Sequence, residues 1–377
     1  MWSPQLYKQN GLTLGLSEEL LEAAIHQTDE IINSPYDIPS ILSLKHLSRR
    51  TKINYKELRN FVNRKNVHAY KKFSIWKRSG GKRFIYVPAP NLKHVQQWFN
   101  EYILKQIPVH QASHAFTVGN SIKKCALKHC GARWLIKLDI ANFFESISEI
   151  QVFRLFRDLG YQPLVSFEMA RLCTLPTSWP SKRDRYKQWR VRKENQIISD
   201  YSQELLGYLP QGAATSPLIS NLVMRTCDEN LSNIAKKYKL TYTRYSDDLS
   251  FSTRSQDFCR SDARNITFEV YKVLSKAGYR AQDRKTKIIP PGSKKIILGL
   301  NVDGDLPRLQ KEYKNRIRQH LYYIKKLGID VHVSNRGFDS IWGFKCHLRG
   351  MIDYANMIEP DYAQESLQKF LEIDWPV

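Results

Sequence analysis

The first 60 residues place apolar side chains at the spacing of an amphipathic helix. These positions are Leu20, Leu21, Ala24 and Ile25, followed by Ile41, Leu42, Leu44 and Leu47. Residues three and four apart share one face of a helix, so the spacing predicts helices that bury one side. Pro35 and Pro39 separate the two groups, because proline lacks the amide proton that a helix interior needs. We predict a small helical N-terminal region over residues 1–60.

From about residue 70 the pattern changes to short strands joined by turn residues. Residues 73–77 and 82–87 are rich in aromatic and β-branched side chains, and Ser79-Gly80-Gly81 lies between them. This arrangement predicts a β-hairpin with basic residues on both arms. From Leu92 to Ile103 the apolar positions return to helical spacing, which predicts an amphipathic helix directly after the hairpin.

Three aspartates stand in strand patterns, where Asp is normally depleted. Residues 134–140 predict a buried strand with Asp139 near its end, and Asp247 and Asp248 interrupt the strand pattern of residues 241–252. Adjacent side chains of a strand point to opposite faces, so both carboxylates serve one site only where the chain turns, as at a hairpin tip. Adjacent carboxylates repel unless a cation lies between them, and Mg²⁺ is the usual cation at phosphoryl-transfer sites. The alternative is a solvated Asp-Asp turn.

The charge of the chain points to a polyanionic partner. With 59 Lys+Arg against 36 Asp+Glu, the formal net charge is +23, which favours nucleic acid first and an anionic membrane second. No apolar run approaches the roughly 18 residues of a spanning helix, and the N-terminus lacks the apolar core of a signal peptide. We therefore expect a cytoplasmic protein without a membrane partner.

Two segments combine basic residues with features that suit RNA. Residues 181–193 interleave basic side chains, among them Arg190 and Arg192, with aromatic ones, a pattern that suits phosphate contacts and base stacking. The alternative is an exposed charged loop. A strong helix is predicted from Leu309 to Leu327, whose apolar face begins with Leu309 and whose other side is basic. That basic side, which includes Lys314 and Arg318, could follow a phosphate backbone.

Three motifs in order resemble those of reverse transcriptases. Residues 208–221 read Tyr-Leu-Pro-Gln-Gly-Ala-Ala-Thr-Ser-Pro-Leu-Ile-Ser-Asn, a turn that leads into an apolar helix. The segment Asp139-Ile-Ala-Asn-Phe-Phe144 precedes it and Tyr245-Ser-Asp-Asp248 follows it. The resemblance covers roughly residues 70 to 300 and is far more specific than any single motif.

The resemblance implies an α+β right-hand polymerase, with fingers, a palm built on a small antiparallel sheet and a helical thumb. After the N-terminal region we expect fingers over residues 61–135 and a palm over residues 136–305. The palm should contain a fingers-derived insertion at about residues 160–207. Residues 306–377 should form the thumb.

The resemblance also implies roles for individual residues. Asp139, Asp247 and Asp248, with the backbone carbonyl of Ile140, would hold two Mg²⁺ ions, and Lys285 of the segment Lys-Thr-Lys-Ile288 would donate a proton to the leaving pyrophosphate. Residues expected to bind the incoming deoxynucleoside triphosphate (dNTP) are Lys77, Arg83, Phe143, Gln211 and Gly212. Phe143 would be the steric gate against a 2′-hydroxyl, whereas Phe144 would fill the core.

Residues 115–129 resemble the extra region of retron reverse transcriptases, whose core reads Asn-Ala-x-x-His. This chain keeps Ala126 and His129 but has Cys125 at the Asn position. These enzymes also carry a Val-Thr-Gly motif after the palm. Here that motif reads Ile297-Leu298-Gly299, so only the glycine is kept. Such an enzyme starts from a guanosine 2′-hydroxyl of a structured noncoding RNA, leaves the DNA attached, and acts in anti-phage defence with an accessory effector protein. Residues that could contact this RNA, or only support the fold, are Lys123, Lys124 and His129.

Other readings stay open. The chain could be a retron-independent bacterial defence reverse transcriptase or a short enzyme like those encoded by group II introns. A noncatalytic RNA-binding protein on a polymerase fold is a third reading. It explains poorly why a scaffold would keep a repulsive pair of adjacent carboxylates.

Overall fold

The computed structural model describes residues 2–64, 68–76, 80–176 and 206–376. Within it the chain forms two compact units. The first comprises Met1–Thr117, Ile140–Asn230 and Val273–Ala281, and the second comprises Val118–Asp139, Leu231–Lys272 and Gln282–Val377. Because both units are built from separate segments, residues distant in sequence meet inside each one.

Helices make up most of the described chain. They are α1 (Pro4–Thr13), α2 (Glu18–Ile32), α3 (Leu44–Thr51), α4 (Tyr55–Val62), α5 (Pro90–Tyr102), α6 (Ile122–Leu127), α7 (Phe143–Ser146), α8 (Glu149–Asp158), α9 (Pro163–Cys173), α10 (Ser216–Val223), α11 (Arg225–Lys237), α12 (Arg260–Lys276), α13 (Lys311–Leu327), α14 (Ile329–Asn335), α15 (Ile341–Ile358) and α16 (Pro360–Leu371). Several begin at a serine whose side chain accepts a backbone N–H, as Ser17, Ser43 and Ser121 do. These caps satisfy amide groups that the first helical turn leaves without a partner.

The strands form small antiparallel sheets. They are β1 (Tyr70–Trp76), β2 (Lys82–Pro88), β3 (Trp134–Asp139), β4 (Leu175–Pro176), β5 (Gly207–Tyr208), β6 (Thr241–Tyr245), β7 (Asp248–Thr253), β8 (Lys287–Ile289), β9 (Ile296–Ile297), β10 (Leu300–Asn301) and β11 (Arg308–Leu309). The largest sheet has the order β6-β7-β3-β8 and belongs to the second unit, whereas the hairpin β1-β2 belongs to the first. We call this four-stranded sheet the palm sheet.

A buried ionic cluster organises part of the first unit. Glu149, at the start of α8, is fully buried and pairs with Arg64 and, at 3.5 Å, with Arg171. It also accepts hydrogen bonds from the Thr174 hydroxyl at 2.8 Å and from the Gly207 backbone at 3.2 Å. A buried carboxylate is stable only with such partners, so the cluster ties α8, α9 and β5 to one another.

One apolar cluster runs through the second unit. Leu135 of β3, Ile317 of α13, Phe344 and Leu348 of α15 and Phe370 of α16 are all buried in it. The burial of these side chains removes apolar area from water, which is the main favourable contribution to folding. The palm sheet and the C-terminal helices therefore share one core.

Most predicted elements are confirmed, including the hairpin, the strand that ends at Asp139 and the helix that follows the hairpin. The predicted start of the long C-terminal helix is wrong. Leu309 pairs with Leu300 in the antiparallel β10-β11 ladder and donates its backbone N–H to Glu359, so the helix begins only at Lys311. No helix within the described ranges is both long and apolar enough to cross a membrane.

Candidate active site

The palm sheet places Asp139 and Asp248 directly opposite each other. β3 and β7 are antiparallel, and their register ends with the pair Asp139 and Asp248. Tyr245 pairs with Asp248 across β6 and β7, so the chain turns at the two residues between them, Ser246 and Asp247. The predicted hairpin tip is confirmed, and it brings all three aspartates to one end of the sheet.

The turn relies on an unusual backbone conformation and a buried arginine. Ser246 has a φ of 59°, a left-handed conformation that is rare outside glycine. Arg244 is fully buried beneath the turn and donates a hydrogen bond to the Ser246 carbonyl at 3.2 Å. Sequence reasoning missed Arg244, although an arginine within an otherwise uncharged strand was a signal for such a role.

The carboxylates at the end of the palm sheet raise the pKa of neighbouring ionisable groups. Lys285 donates from Nζ to Oδ2 of Asp139 at 2.7 Å, and this bond, with the negative charges around it, raises the pKa of Lys285 above its ordinary value. Burial raises the pKa of Asp248, the charges of Asp247 and Asp139 raise it further, and Lys137 lowers it. A raised carboxyl pKa means that the negative form is costly there, so this end of the sheet favours additional positive charge.

The donor set fits a divalent cation in its chemistry. Carboxylate oxygens are the hard ligands that Mg²⁺ prefers. Among the described residues, however, no group of three or more His, Cys, Asp or Glu side chains lies close enough to hold a metal ion. The ammonium of Lys285 occupies one oxygen of Asp139. Ile140, the predicted carbonyl ligand, is buried and forms a β-bridge with Ala281.

His129 supports the same hairpin from within the core. Its ring is buried, with Nδ1 2.7 Å from the Ser252 hydroxyl on β7 and Nε2 2.7 Å from the Thr243 hydroxyl on β6. Cys125, one helical turn earlier, donates from its thiol to Thr243 at 3.4 Å. Of the two roles that the sequence leaves open for His129, RNA contact or support of the fold, the burial of its ring between two strands favours support of the fold.

In the first unit, Gln211 and Gly212 lie against the β1-β2 hairpin. The backbone N–H of Tyr86 on β2 donates to the Gln211 carbonyl at 2.8 Å. Gly212 has a φ of 110°, and a Cβ there would lie 2.9 Å from the Tyr86 carbonyl oxygen and 2.8 Å from Cγ2 of Ile85. Only glycine satisfies both the conformation and the close approach, so this turn is fixed to the hairpin.

The two aromatic residues after the first aspartate differ from expectation. Phe143 is 4% exposed and contacts Phe144 and Tyr279, at ring-centroid distances of 5.3 and 6.3 Å. Phe144 is only partly buried and also contacts Phe116, at 6.4 Å. The prediction that Phe144 fills the core is wrong, because Phe143 is the more buried of the two.

The other basic residues predicted to bind the dNTP or RNA differ in exposure and in their partners. Lys77, Arg190 and Arg192 lie outside the described residues. Exposed side chains are those of Arg83 on β2, Lys124 on α6 and Arg318 on α13, whereas Lys123 is partly buried. Lys314 forms an ion pair with Glu359, and its ammonium lies 5.0 Å from the ring centroid of Tyr362, which commits part of its charge to the C-terminal helices.

Comparisons with known proteins identify a family for this chain. The family model for "Reverse transcriptase (RNA-dependent DNA polymerase)" matches residues 74–302. The retron Mx162 reverse transcriptase of Myxococcus xanthus is 28% identical over 382 residues, which cover 94% of this chain and 74% of that protein. Two Escherichia coli proteins are also similar. The retron Ec73 reverse transcriptase is 29% identical over 81% of this chain and 88% of its own length, and the retron Ec86 reverse transcriptase is 28% identical over 88% and 94%.

A solved telomerase structure from Candida albicans, in complex with a TWJ fragment of telomeric RNA, covers 80% of this chain and 62% of its own. Its TM-score is 0.41 and its sequence identity 12%, so we draw nothing from it.

Reverse transcriptases copy an RNA template and use divalent metal ions for phosphoryl transfer. With this family match and the aspartates at the end of the palm sheet, the chain belongs to the reverse transcriptase family and is an RNA-directed DNA polymerase with an α+β right-hand polymerase fold.

Proposed function

We propose that this enzyme is the reverse transcriptase of a retron. It would copy part of a structured noncoding RNA into a short single-stranded DNA that stays linked to the RNA through a 2′-5′ branch. The observation that carries the catalytic part is the register of β3 and β7, which sets Asp139 opposite Asp248 with Asp247 in the adjoining turn. The similarity to the retron enzymes of two bacterial species supports the biological part. Its setting would be cytoplasmic anti-phage defence with an accessory effector protein.

Two Mg²⁺ ions would stabilise the attacking and leaving oxygens of an in-line displacement. Asp139, Asp247 and Asp248 would hold them, with the Ile140 carbonyl as a further ligand. Lys285 keeps its proton because of the carboxylates beside it, and it can therefore neutralise or protonate the leaving pyrophosphate.

Other residues would select and bind the dNTP. The turn at Gln211 and Gly212 would support its sugar and base, while Arg83 and Lys77 would bind its triphosphate, with Arg supplying a fork of donors. We now assign the steric gate to Phe144 instead of Phe143, because Phe143 is committed to the core.

Primer extension tests the catalytic assignment. Purified protein, Mg²⁺, dNTPs and a primed RNA template should give DNA, and Asp247→Asn should abolish the product because a metal ligand is lost. Asp330→Asn, which removes an exposed carboxylate from α14, is the matched control and should keep full activity. An Asp247→Asn enzyme that extends primers normally would contradict the assignment.

Sequencing of nucleic acid that copurifies with the protein tests the retron assignment. A branched RNA–DNA species should be present with the native enzyme and absent with Asp247→Asn. Unbranched complementary DNA instead would favour a retron-independent or group II intron-like enzyme.

A further inference from the structure

The second unit contains a cleft of about 460 Å³ that no predicted role explains. Its lining residues come from the loop after α6, the start of β6 and the end of β7: Lys128, Cys130, Ala132, Lys239, Thr241, Ser252, Thr253, Arg254 and Ser255. We call it the basic cleft. Three of its lining side chains are cationic and none is acidic.

The cations of the basic cleft are available to a ligand. Lys128, Lys239 and Arg254 are all exposed, and none forms an ion pair with a carboxylate in the part of the chain that the structure describes. The charge of Asp305 reaches the cleft, where it adds to the larger effect of burial in raising the pKa of the Cys130 thiol. Like charges gathered in one concave surface raise the local potential and attract an anion.

Arg254 is held in place before any ligand arrives. Its Nε and Nη2 donate to the Cys130 carbonyl at 3.1 and 2.7 Å, which fixes the plane of the guanidinium and leaves Nη1 for another acceptor. Gly131 beside it has a φ of 69°, and a Cβ there would lie 3.5 Å from the Arg254 Nε. A fixed guanidinium loses little entropy on binding, and its planar fork matches a phosphate.

Hydroxyl groups accompany the cations of the basic cleft. The Ser252 hydroxyl is engaged by His129, whereas the hydroxyls of Thr253 and Ser255 accept the backbone N–H groups of Ser255 and Asp257. An accepting hydroxyl keeps its own proton, so Ser255, like Thr241, can donate to a ligand beside the cations. The combination of cationic groups and hydroxyls is typical of contacts to phosphate oxygens.

The basic cleft is separate from the catalytic carboxylates. β7 runs from Asp248 at the catalytic turn to Thr253 in the cleft. Five residue steps of extended strand span about 17 Å. A phosphate in the cleft is therefore neither the dNTP nor the reacting primer end.

We propose that the basic cleft binds backbone phosphates of the structured RNA partner, at the end of the palm sheet opposite the catalytic turn. This inference rests on the proposed function as an RNA-directed polymerase. The +23 charge of the chain favours a polyanion over a single free anion, because several phosphates spaced along one strand can use several cations together. An acidic polypeptide is the competing ligand and forms one arm of the test.

The test uses a double variant, Lys128→Gln with Lys239→Asn. Asn is chosen because Lys239 has a φ of 52°, a left-handed conformation that Asn tolerates. The matched control is Lys45→Gln with Lys56→Gln, which removes the same charge from exposed positions on α3 and α4. Binding of a labelled RNA hairpin and of poly-L-glutamate is measured against salt concentration, and primer extension on poly(rA)·oligo(dT) is measured alongside.

The cleft variant should bind the RNA hairpin roughly tenfold more weakly at physiological salt, and its log-log salt slope should be shallower by about two. The control should change far less, and both variants should extend oligo(dT) like the native enzyme. Equal RNA binding by the cleft and control variants would overturn the proposal. A loss confined to poly-L-glutamate would also overturn it and assign the cleft to an acidic protein. Failure of the native enzyme to extend oligo(dT) would refute the polymerase function itself. The comparison of RNA binding between the cleft variant and the control would still test the cleft.

Discussion

Replacement of His129 by alanine should loosen the β6-β7 hairpin, which carries Asp247 and Asp248. The ring joins β6 to β7 through the hydroxyls of Thr243 and Ser252, each 2.7 Å from a ring nitrogen. Asp247 lies four residues after Thr243 on the same chain segment. The variant therefore removes a support directly behind the carboxylates without touching them.

The size of the effect follows from the groups left behind. Without the ring, the Ser252 hydroxyl loses this partner and the Thr243 hydroxyl keeps only the weak thiol donor of Cys125, at a cost of about 1–3 kcal/mol for each hydroxyl. The cavity left by the imidazole adds to this cost, because neighbouring strands relax only partly. Together we expect a loss of about 3–5 kcal/mol in the free energy that resists opening of this part of the sheet.

Hydrogen exchange measures this opening locally. Peptides that cover residues 241–253 should exchange at least roughly a hundredfold faster in His129→Ala, since about 1.4 kcal/mol corresponds to a factor of ten. Peptides from α2, in the first unit, serve as the internal reference and should keep their rates.

A triple variant provides the matched control. When Thr243→Val and Ser252→Ala accompany His129→Ala, no hydroxyl is left without a partner, so part of the lost protection should return. Unchanged exchange of residues 241–253 in His129→Ala would refute the reasoning. So would a triple variant that exchanges faster than the single one.

Three further predictions test other parts of the chain. Gly212→Ala should reduce dNTP incorporation at least tenfold in steady-state primer extension while the protein remains folded by circular dichroism, because its Cβ would meet the Tyr86 carbonyl; full activity would contradict the close approach. Lys285→Met should slow synthesis by the same factor at about pH 7 and about pH 9, since neighbouring carboxylates raise the pKa of Lys285 and keep it protonated throughout; a defect that vanishes at the higher pH would refute this. Burial lowers the pKa of His320 from 6.5 to about 4, so the stability that its neutral form contributes is complete above pH 6.5 and is lost as the pH falls towards 4, by about 3 kcal/mol. His320→Phe should flatten denaturant-unfolding stability against pH in that window, and parallel curves for the two proteins would disprove it.

Local patterns in the sequence were enough to predict the β6-β7 hairpin. The strand residues around Asp247 and Asp248 specify extended chain, and the two adjacent carboxylates make a turn the only conformation that lets both serve one site. The strand that ends at Asp139 could also be predicted from its own apolar residues. Each of these features depends on residues within about ten positions of one another.

Features that depend on distant pairing could not be predicted in this way. The sequence alone does not decide whether His129 contacts RNA or supports the fold, because the answer depends on β6 and β7, which contact its ring at sequence separations of 114 and 123 residues. Phe143 and Phe144 are adjacent aromatic residues, and their burial is distinguished by the position of Tyr279. Leu309 fits the helical spacing, but it lies in strand β11 and pairs with Leu300 of β10. In each case tertiary contacts override a local preference.

The electrostatics of the palm sheet indicate why the carboxylates at one end of it suit cation binding better than a purely structural role. Asp248 meets two other carboxylates across a short distance in the sheet, and burial makes its charged form costly, so its pKa rises. The charges of Lys137 and Lys285 lower the pKa of Asp248, and Lys285 is already bound to Asp139. Three negative charges against these two leave the end of the sheet in need of more positive charge. A divalent ion bound there would supply that charge and would favour the deprotonated form of Asp248. The same imbalance that makes the negative charges costly in the free site would therefore strengthen the binding of a cation.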